Sequence, residues 1–282
     1  MRLGVALRYE FSSTPYMAVQ RFLAHMTWPE VKALDKSKAV AVLPVGATEQ
    51  HGHHLPIYTD TIISSGVLEL AMDRLPDDVP AYRLSPITIS KSNEHRGFPG
   101  TIWIGAKTLY DVLFDIGRSV HESGFRKLCF FNGHGGNVGI LHAVTRDLRD
   151  EFGMTTFFGS AGTYLDEKIL PEGVDPRENE FGIHANFTET ALIKALTPDL
   201  VKDDLAKPCF PDYPDTGIGL IGKGYAQWKT EDWSATGVFG DPTHVTDEIA
   251  ADYLERSVQG TIKFLKEMVE FEYARPPIED GL

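Results

Sequence analysis

The chain has 282 residues, 42% hydrophobic and 24% charged, a globular balance that suits one large α/β domain or two small ones. Its formal net charge of −13 is spread along the chain and argues against a nucleic-acid surface, which needs clustered Lys and Arg. No stretch approaches the ~18–20 apolar residues of a membrane span. Charge interrupts the N-terminus too early for a secretory signal, and only two cysteines occur, Cys129 and Cys209. A cytoplasmic protein with a buried Cys129 thiol is the expectation.

After an N-terminal arm (residues 1–26) with aromatics at Tyr9, Phe11, Tyr16 and Phe22, the apolar run over residues 40–45 reads as a buried strand. Residues 61–74 carry Ile62, Ile63, Val67, Leu70 and Ala71 at helical spacing. A strand is expected over 82–89, and a helix over 108–123, with Leu109, Val112, Leu113, Ile116 and Val120 on one face. A strand at 127–131 leads through a glycine-rich turn into a helix ending near Glu151. A further strand over 155–159 and a helix over 188–196 precede a Pro- and Gly-rich, loop-heavy part at 207–240, and the last helix covers about 247–271. Strand–helix alternation predicts a three-layer α/β/α architecture on a mainly parallel sheet, with the whole chain forming one domain.

The chemistry concentrates where strands end. Directly after the strand at 40–45, residues 49–60 hold Glu49, His51, His53, His54 and Asp60. That places them at the carboxyl end of the sheet, where open α/β proteins bind ligands. Carboxylate with imidazole suits a borderline divalent ion such as zinc or manganese. In Asn132-Gly-His-Gly-Gly-Asn137, the glycines permit close approach and His134 is placed to project from the strand end. By itself the segment reads equally well as a turn with an incidental histidine; beside Glu49, His51 and Asp60, ligation is the better reading. Glu189 by itself could be a solvated helix carboxylate, His184 a loop cap, and the Glu94–His95 segment a surface loop. Trp228, Trp233, Tyr225 and Phe239 read either as a satellite apolar cluster or as a pocket wall.

Taken together, the strings Leu43-Pro-Val-Gly-Ala-Thr-Glu-Gln-His-Gly-His-His-Leu-Pro56 with Thr59-Asp60, Glu94-His95 with Phe98-Pro-Gly-Thr101, Asn132–Asn137, His184-Ala185 with Glu189-Thr190, and Gly240-Asp241-Pro242 resemble the creatininase (creatinine amidohydrolase) family in its order. The resemblance runs from about Thr27 to Lys266. It implies an α/β/α metal-dependent hydrolase, often hexameric, with two divalent ions per chain: zinc or manganese, with iron also compatible. It places Glu49 and His134 on one ion, His51 and Glu189 on the other, and Asp60 between them. A carboxylate bridge of this kind holds cations roughly 3.5–4 Å apart and supports an activated hydroxide at neutral pH. His184 takes the place of a catalytic, substrate-contacting histidine. Glu94, His95, His53 and Trp228 are assigned to substrate, and His54 stacks beneath the loop. Where creatininase itself has a glutamate ligand two residues after its histidine, this chain has Gly136, which points away from creatinine as substrate.

The expected reaction is hydrolysis of a C–N bond in a small cyclic amide or related amide. Ring opening of a cyclic polyol ketone of the inosose type, by C–C hydrolysis, is the alternative that uses the same nucleophile. A non-catalytic metal-stabilised scaffold fits less well, because structural zinc sites are closed and rich in Cys or His. The partners expected are a small-molecule substrate and further copies of the chain.

Overall fold

The computed structural model describes residues 19–162, 170–214, 216–221 and 224–274. The arm residues Tyr9, Phe11 and Tyr16 lie outside them, while Phe22 is half-buried, with the Arg83 guanidinium 3.8 Å above its ring.

The described elements run in the order α1 (Trp28–Ala33), β1 (Val40–Val45), α2 (Thr59–Asp73), β2 (Ala81–Arg83), α3 (Ala106–Glu122), β3 (Lys127–Asn132), α4 (Val138–Phe152), β4 (Thr155–Ser160), α5 (Glu178–Phe181), α6 (Phe187–Leu196), α7 (Thr230–Trp233) and α8 (Asp247–Glu270). The strands form one parallel sheet in the order β2-β1-β3-β4. Both faces are covered, which is why β1 and β3 read as unbroken apolar runs instead of alternating ones. Val40, Val42, Cys129 and Phe131 pack with α2, α6 and α8, while Ala41, Leu43, Val45, Leu128 and Phe130 pack with α3 and α4. The result is the expected three-layer α/β/α sandwich. Cys129 is buried and free, and burial pushes its thiol well above the ordinary range.

The strand expected over 82–89 is much shorter. Only Ala81–Arg83 pairs continuously with β1, and contact resumes as a single bridge between Val45 and Ile87. Pro86, which has no N–H to give, interrupts the ladder between them. Between 207 and 240 the described residues hold one short helix, α7, with isolated bridges. Among the described residues no helix is long and apolar enough to cross a membrane.

The strand order fixes where a ligand can sit. From β1 the chain crosses to β2 on one side, and from β3 to β4 on the other, so a crevice opens between the carboxyl ends of β1 and β3.

Candidate metal centre

Val45 at the end of β1 lies opposite Asn132 at the end of β3, and Gly133 N donates to Val45 O at 2.8 Å. The two outgoing loops therefore start side by side. One brings Glu49 and His51, and the other brings His134. Asp60 comes from the first turn of α2, where the helix N-terminus favours a carboxylate. A Cβ at Gly133 would collide with the Asp60 carbonyl oxygen, so a glycine is what lets α2 begin this close to β3. Glu189 sits in the first turn of α6, and its N–H is capped by Asn186 Oδ1 at 2.9 Å.

Hydrogen bonding determines which face of each imidazole points inward. A backbone carbonyl can only accept, so His51 Nδ1–H donates to Glu49 O (3.1 Å) and His134 Nε2–H donates to Lys91 O (2.9 Å). The opposite nitrogens face carboxylates. His51 Nε2 lies 3.1 Å from Asp60 Oδ1 and 3.9 Å from Glu189 Oε1. His134 Nδ1 lies 3.1 Å from Glu49 Oε1 and 3.3 Å from Asp60 Oδ2. Asp60 thus divides its two oxygens between two imidazoles.

Lone pairs of nitrogen and carboxylate converge in both places, and something positive must stand between them. In the metal-free chain protons fill that role. Burial by itself would lower the His51 pKa, but Asp60, Glu189 and Glu49 carry it up to about 10. His134 is likewise raised well above its ordinary value, Glu49 and Asp60 overriding burial. Asp60 is held far below the carboxylate range, since His51 and His134 outweigh its burial. Burial lifts Glu189 to about 7 against the pull of His51, with Asp60 and Glu49 adding to the rise. Beyond the surrounding imidazoles, no donor among the described residues meets the buried Glu49 Oε1, Asp60 Oδ2 or Glu189 Oε2, an environment that a cation would complete. The donor types, carboxylate oxygen and imidazole nitrogen, fit zinc or manganese.

His184 faces the same space. Its Nε2–H donates to Gln50 O at 2.7 Å, which leaves Nδ1 unprotonated and 3.6 Å from Glu49 Oε1. The ring lies between those of His51 and His95, 4.2 Å from each centroid. Burial first, then the two neighbouring imidazoles, keep its pKa well below the ordinary histidine value, so the ring is neutral near pH 7. Ala185, the next residue, takes a left-handed backbone (φ 49°), and His184 pairs with Phe239 across an isolated bridge. His184 could join His51 and Glu189 around one ion, or join Glu49 and His95, as its donor atom lies within 4.8 Å of theirs in both groups.

The remaining sequence candidates divide. His95 is buried beside the cluster, with Nε2 3.4 Å from Glu49 Oε1, and burial lowers its pKa. Glu94 turns to His134 and Lys91. His54 is buried and hydrogen-bonds Thr190 Oγ1 on α6 at 2.9 Å. His53 is exposed, and among the described residues no hydrogen bond or ion pair ties it to the cluster. Trp228 packs its ring on Phe239 (5.2 Å) and donates to Leu220 O, which places it behind the strand-like bridge that carries His184.

Two participants escaped the sequence reading. The Gln50 amide donates to His95 Nδ1 (2.9 Å) and Gly237 O (3.1 Å), and so ties the loop-rich segment to the cluster. Its signal was its place between Glu49 and His51. Ser92 Oγ donates to Glu49 Oε2 and turns the other oxygen of Glu49 inward; a lone serine two residues before Glu94 carries no signal of that.

Comparison with known proteins gives the family and the fold. The Creatininase family model, described as creatinine amidohydrolase, matches residues 24–265. The mycofactocin precursor peptide peptidase of Mycolicibacterium smegmatis is 32% identical over 217 residues, covering 73% of this chain and 76% of that protein. A solved manganese creatininase superposes with a TM-score of 0.72 at 26% identity, covering 89% of this chain and 99% of the other. A mutant creatininase of Zn-Zn type does so with a TM-score of 0.71 at 25% identity, with the same coverage of both chains.

Proposed function

The chain belongs to the creatininase family of hydrolases, and on that premise we propose that it is a dinuclear metal-dependent hydrolase that cleaves the C–N bond of an amide. The observation that carries the reading is the division of Asp60: Oδ1 faces His51 and Oδ2 faces His134. One donor set is then Glu49, Asp60 and His134, and the other is His51, Asp60 and Glu189. Bound there, two divalent ions would polarise a carbonyl and activate water as a nucleophile at neutral pH. Three carboxylates against two dications leave one positive charge, which suits an anionic nucleophile or a developing oxyanion.

The chain's own groups supply the rest. His184, neutral and with Nδ1 open to the cluster, can take a proton from the attacking water and pass it to the leaving nitrogen. Gln50 holds the relay in place, its backbone oxygen fixing the His184 tautomer and its amide orienting His95. Similarity to a precursor peptide peptidase favours a peptide-like or other small amide substrate. We include in the proposal a homo-oligomer, for which Trp28 (76% exposed), Ile102 (54%) and Trp103 (41%) offer apolar surface, and light scattering that gives a lone 31.3 kDa species would remove it.

The test pairs metal analysis with a hydrolysis screen of lactams, formamides, short peptides and inososes, each with zinc or manganese added. About two equivalents of metal and turnover of an amide are expected. A loaded protein that opened only an inosose ring would replace C–N by C–C cleavage, and a protein that bound no metal would overturn the reading altogether.

A further inference from the structure

Glu94 stands in space that a side chain at position 136 would otherwise claim. A Cβ added at Gly136 would run into Glu94 Oε1, His134 Nε2 and the Lys91 carbonyl oxygen together. The absence of a side chain at 136 therefore lets the Glu94 carboxylate lie against the outer edge of the His134 ring. Its Oε1 is 3.4 Å from His134 Nε2, the nitrogen that already donates to Lys91 O at 2.9 Å. Its Oε2 accepts from Lys91 Nζ at 2.8 Å, so the carboxylate is anchored from both sides and its side chain is only 13% exposed. The neighbouring residues of the same short turn act on the cluster too. Ser92 Oγ holds Glu49 Oε2, and His95 Nε2 approaches Glu49 Oε1.

We infer that Glu94 is a positioning residue for the ion held by Glu49, Asp60 and His134, acting through the His134 ring. The inference rests on the dinuclear reading above. A carboxylate at the outer nitrogen of a ligating histidine fixes the tautomer, restricts ring rotation and makes the inner nitrogen a stronger donor; losing such a partner costs about 10–100-fold in metal affinity. Here the Lys91 carbonyl fixes the tautomer by itself, and Glu94 adds the charge that a carbonyl lacks. Among the described residues, no equivalent carboxylate lies behind His51, whose Nδ1 meets the Glu49 carbonyl oxygen, so an ion at His51 and Glu189 would lack this support. The effect should therefore fall on one ion of the two.

The experiment is chelator competition on the whole chain loaded with zinc, resolving the two dissociation steps, for wild type, Glu94→Gln, Glu94→Ala and Gly136→Ala. Glu94→Gln keeps the shape and removes the charge. We expect it to weaken one step about 10-fold or more, to leave the other within twofold, and to lower the melting temperature of the metal-free chain only slightly, since Glu94 is one of several carboxylates facing His134. Glu94→Ala should weaken the same step at least as far, and Gly136→Ala, whose methyl would meet His134 Nε2 and the Lys91 carbonyl oxygen as well as Glu94, should weaken it further still. Unchanged affinities in both Glu94 variants would overturn the inference. So would equal weakening of both steps together with a much lower metal-free melting temperature, since that is what a merely structural carboxylate would give. If wild type bound no zinc, the dinuclear reading itself would fail first, and the two failures are thereby told apart.

Discussion

The two halves of the donor cluster are built differently. The His134 half rests on the sheet. Glu49 and His134 leave adjacent strand ends, Asp60 opens α2, all three are buried, and Ser92 and Lys91 fix their outer atoms. The His51 half borrows from a segment more than a hundred residues further on. Glu189 lies 3.9 Å from His51, its side chain is 20% exposed, and His184 beside it is held by a left-handed Ala185 and by pairing with the loop-rich part. The first half is rigid because parallel strands set its spacing. The position of the second half depends on how the 178–187 segment docks, and it is the half whose carboxylate is partly exposed.

The largest expected effect removes the distinction between the halves. Asp60→Ala takes an oxygen from each, so metal content should fall from about two equivalents to well under one and activity should disappear with it. Retention of a full complement of metal would mean that Asp60 bridges nothing.

Next in size is a change confined to the open half. His184→Ala should keep both ions and lower turnover on the order of 10²-fold, the usual size of a general acid–base contribution. Loss of one equivalent of metal on the same substitution would make His184 a ligand of the His51 half instead.

The pH response is smaller and tests how protons stand in for ions. In the metal-free chain His51 has a pKa of about 10, above its unfolded value, so its contribution to stability is fully present below pH ~6.5 and is lost as pH rises toward 10. His134, also raised, acts in the same direction, and Glu189, raised to about 7, adds a cost that develops between its unfolded pKa near 4.3 and about 7. The metal-free melting temperature should therefore fall between pH 6 and pH 9, and added zinc should widen the gap between loaded and free protein as pH rises. A gap that stays constant over that range would show that the ions do not displace these protons.

The smallest effect concerns the strained residue of the open half. Ala185→Gly relieves a left-handed backbone but gives the unfolded chain more freedom, so the two terms oppose and stability should change by less than about 1 kcal/mol. A loss above about 2 kcal/mol by denaturant unfolding would mean that the buried methyl group, and not the backbone, anchors this segment.

Much of this was legible in the residues themselves. The apolar runs at β1 and β3 announced strands buried on both faces, and the Glu49, His51 and His134 donors follow strand ends where the sheet order later opens its crevice, with Asp60 opening the next helix. The exposed His53 shows the limit of proximity in sequence: the polypeptide turns there, and a histidine two residues from His51 points to solvent. The shortening of β2 at Pro86 was likewise written in the sequence, yet β-pairing of its neighbours had to be seen before its effect was clear.

The sequence by itself determined the donor chemistry, its order along the chain and the parallel α/β framework, because residue type and apolar periodicity are local properties. Only the tertiary structure decided that Asp60 divides its oxygens between two imidazoles, that Gln50 joins His95 to the loop-rich segment, and that Glu94 occupies the space above Gly136. Each of these depends on the direction of a hydrogen bond or the vacancy of a single Cβ between segments tens of residues apart, and such directions are set by packing, which no local pattern encodes.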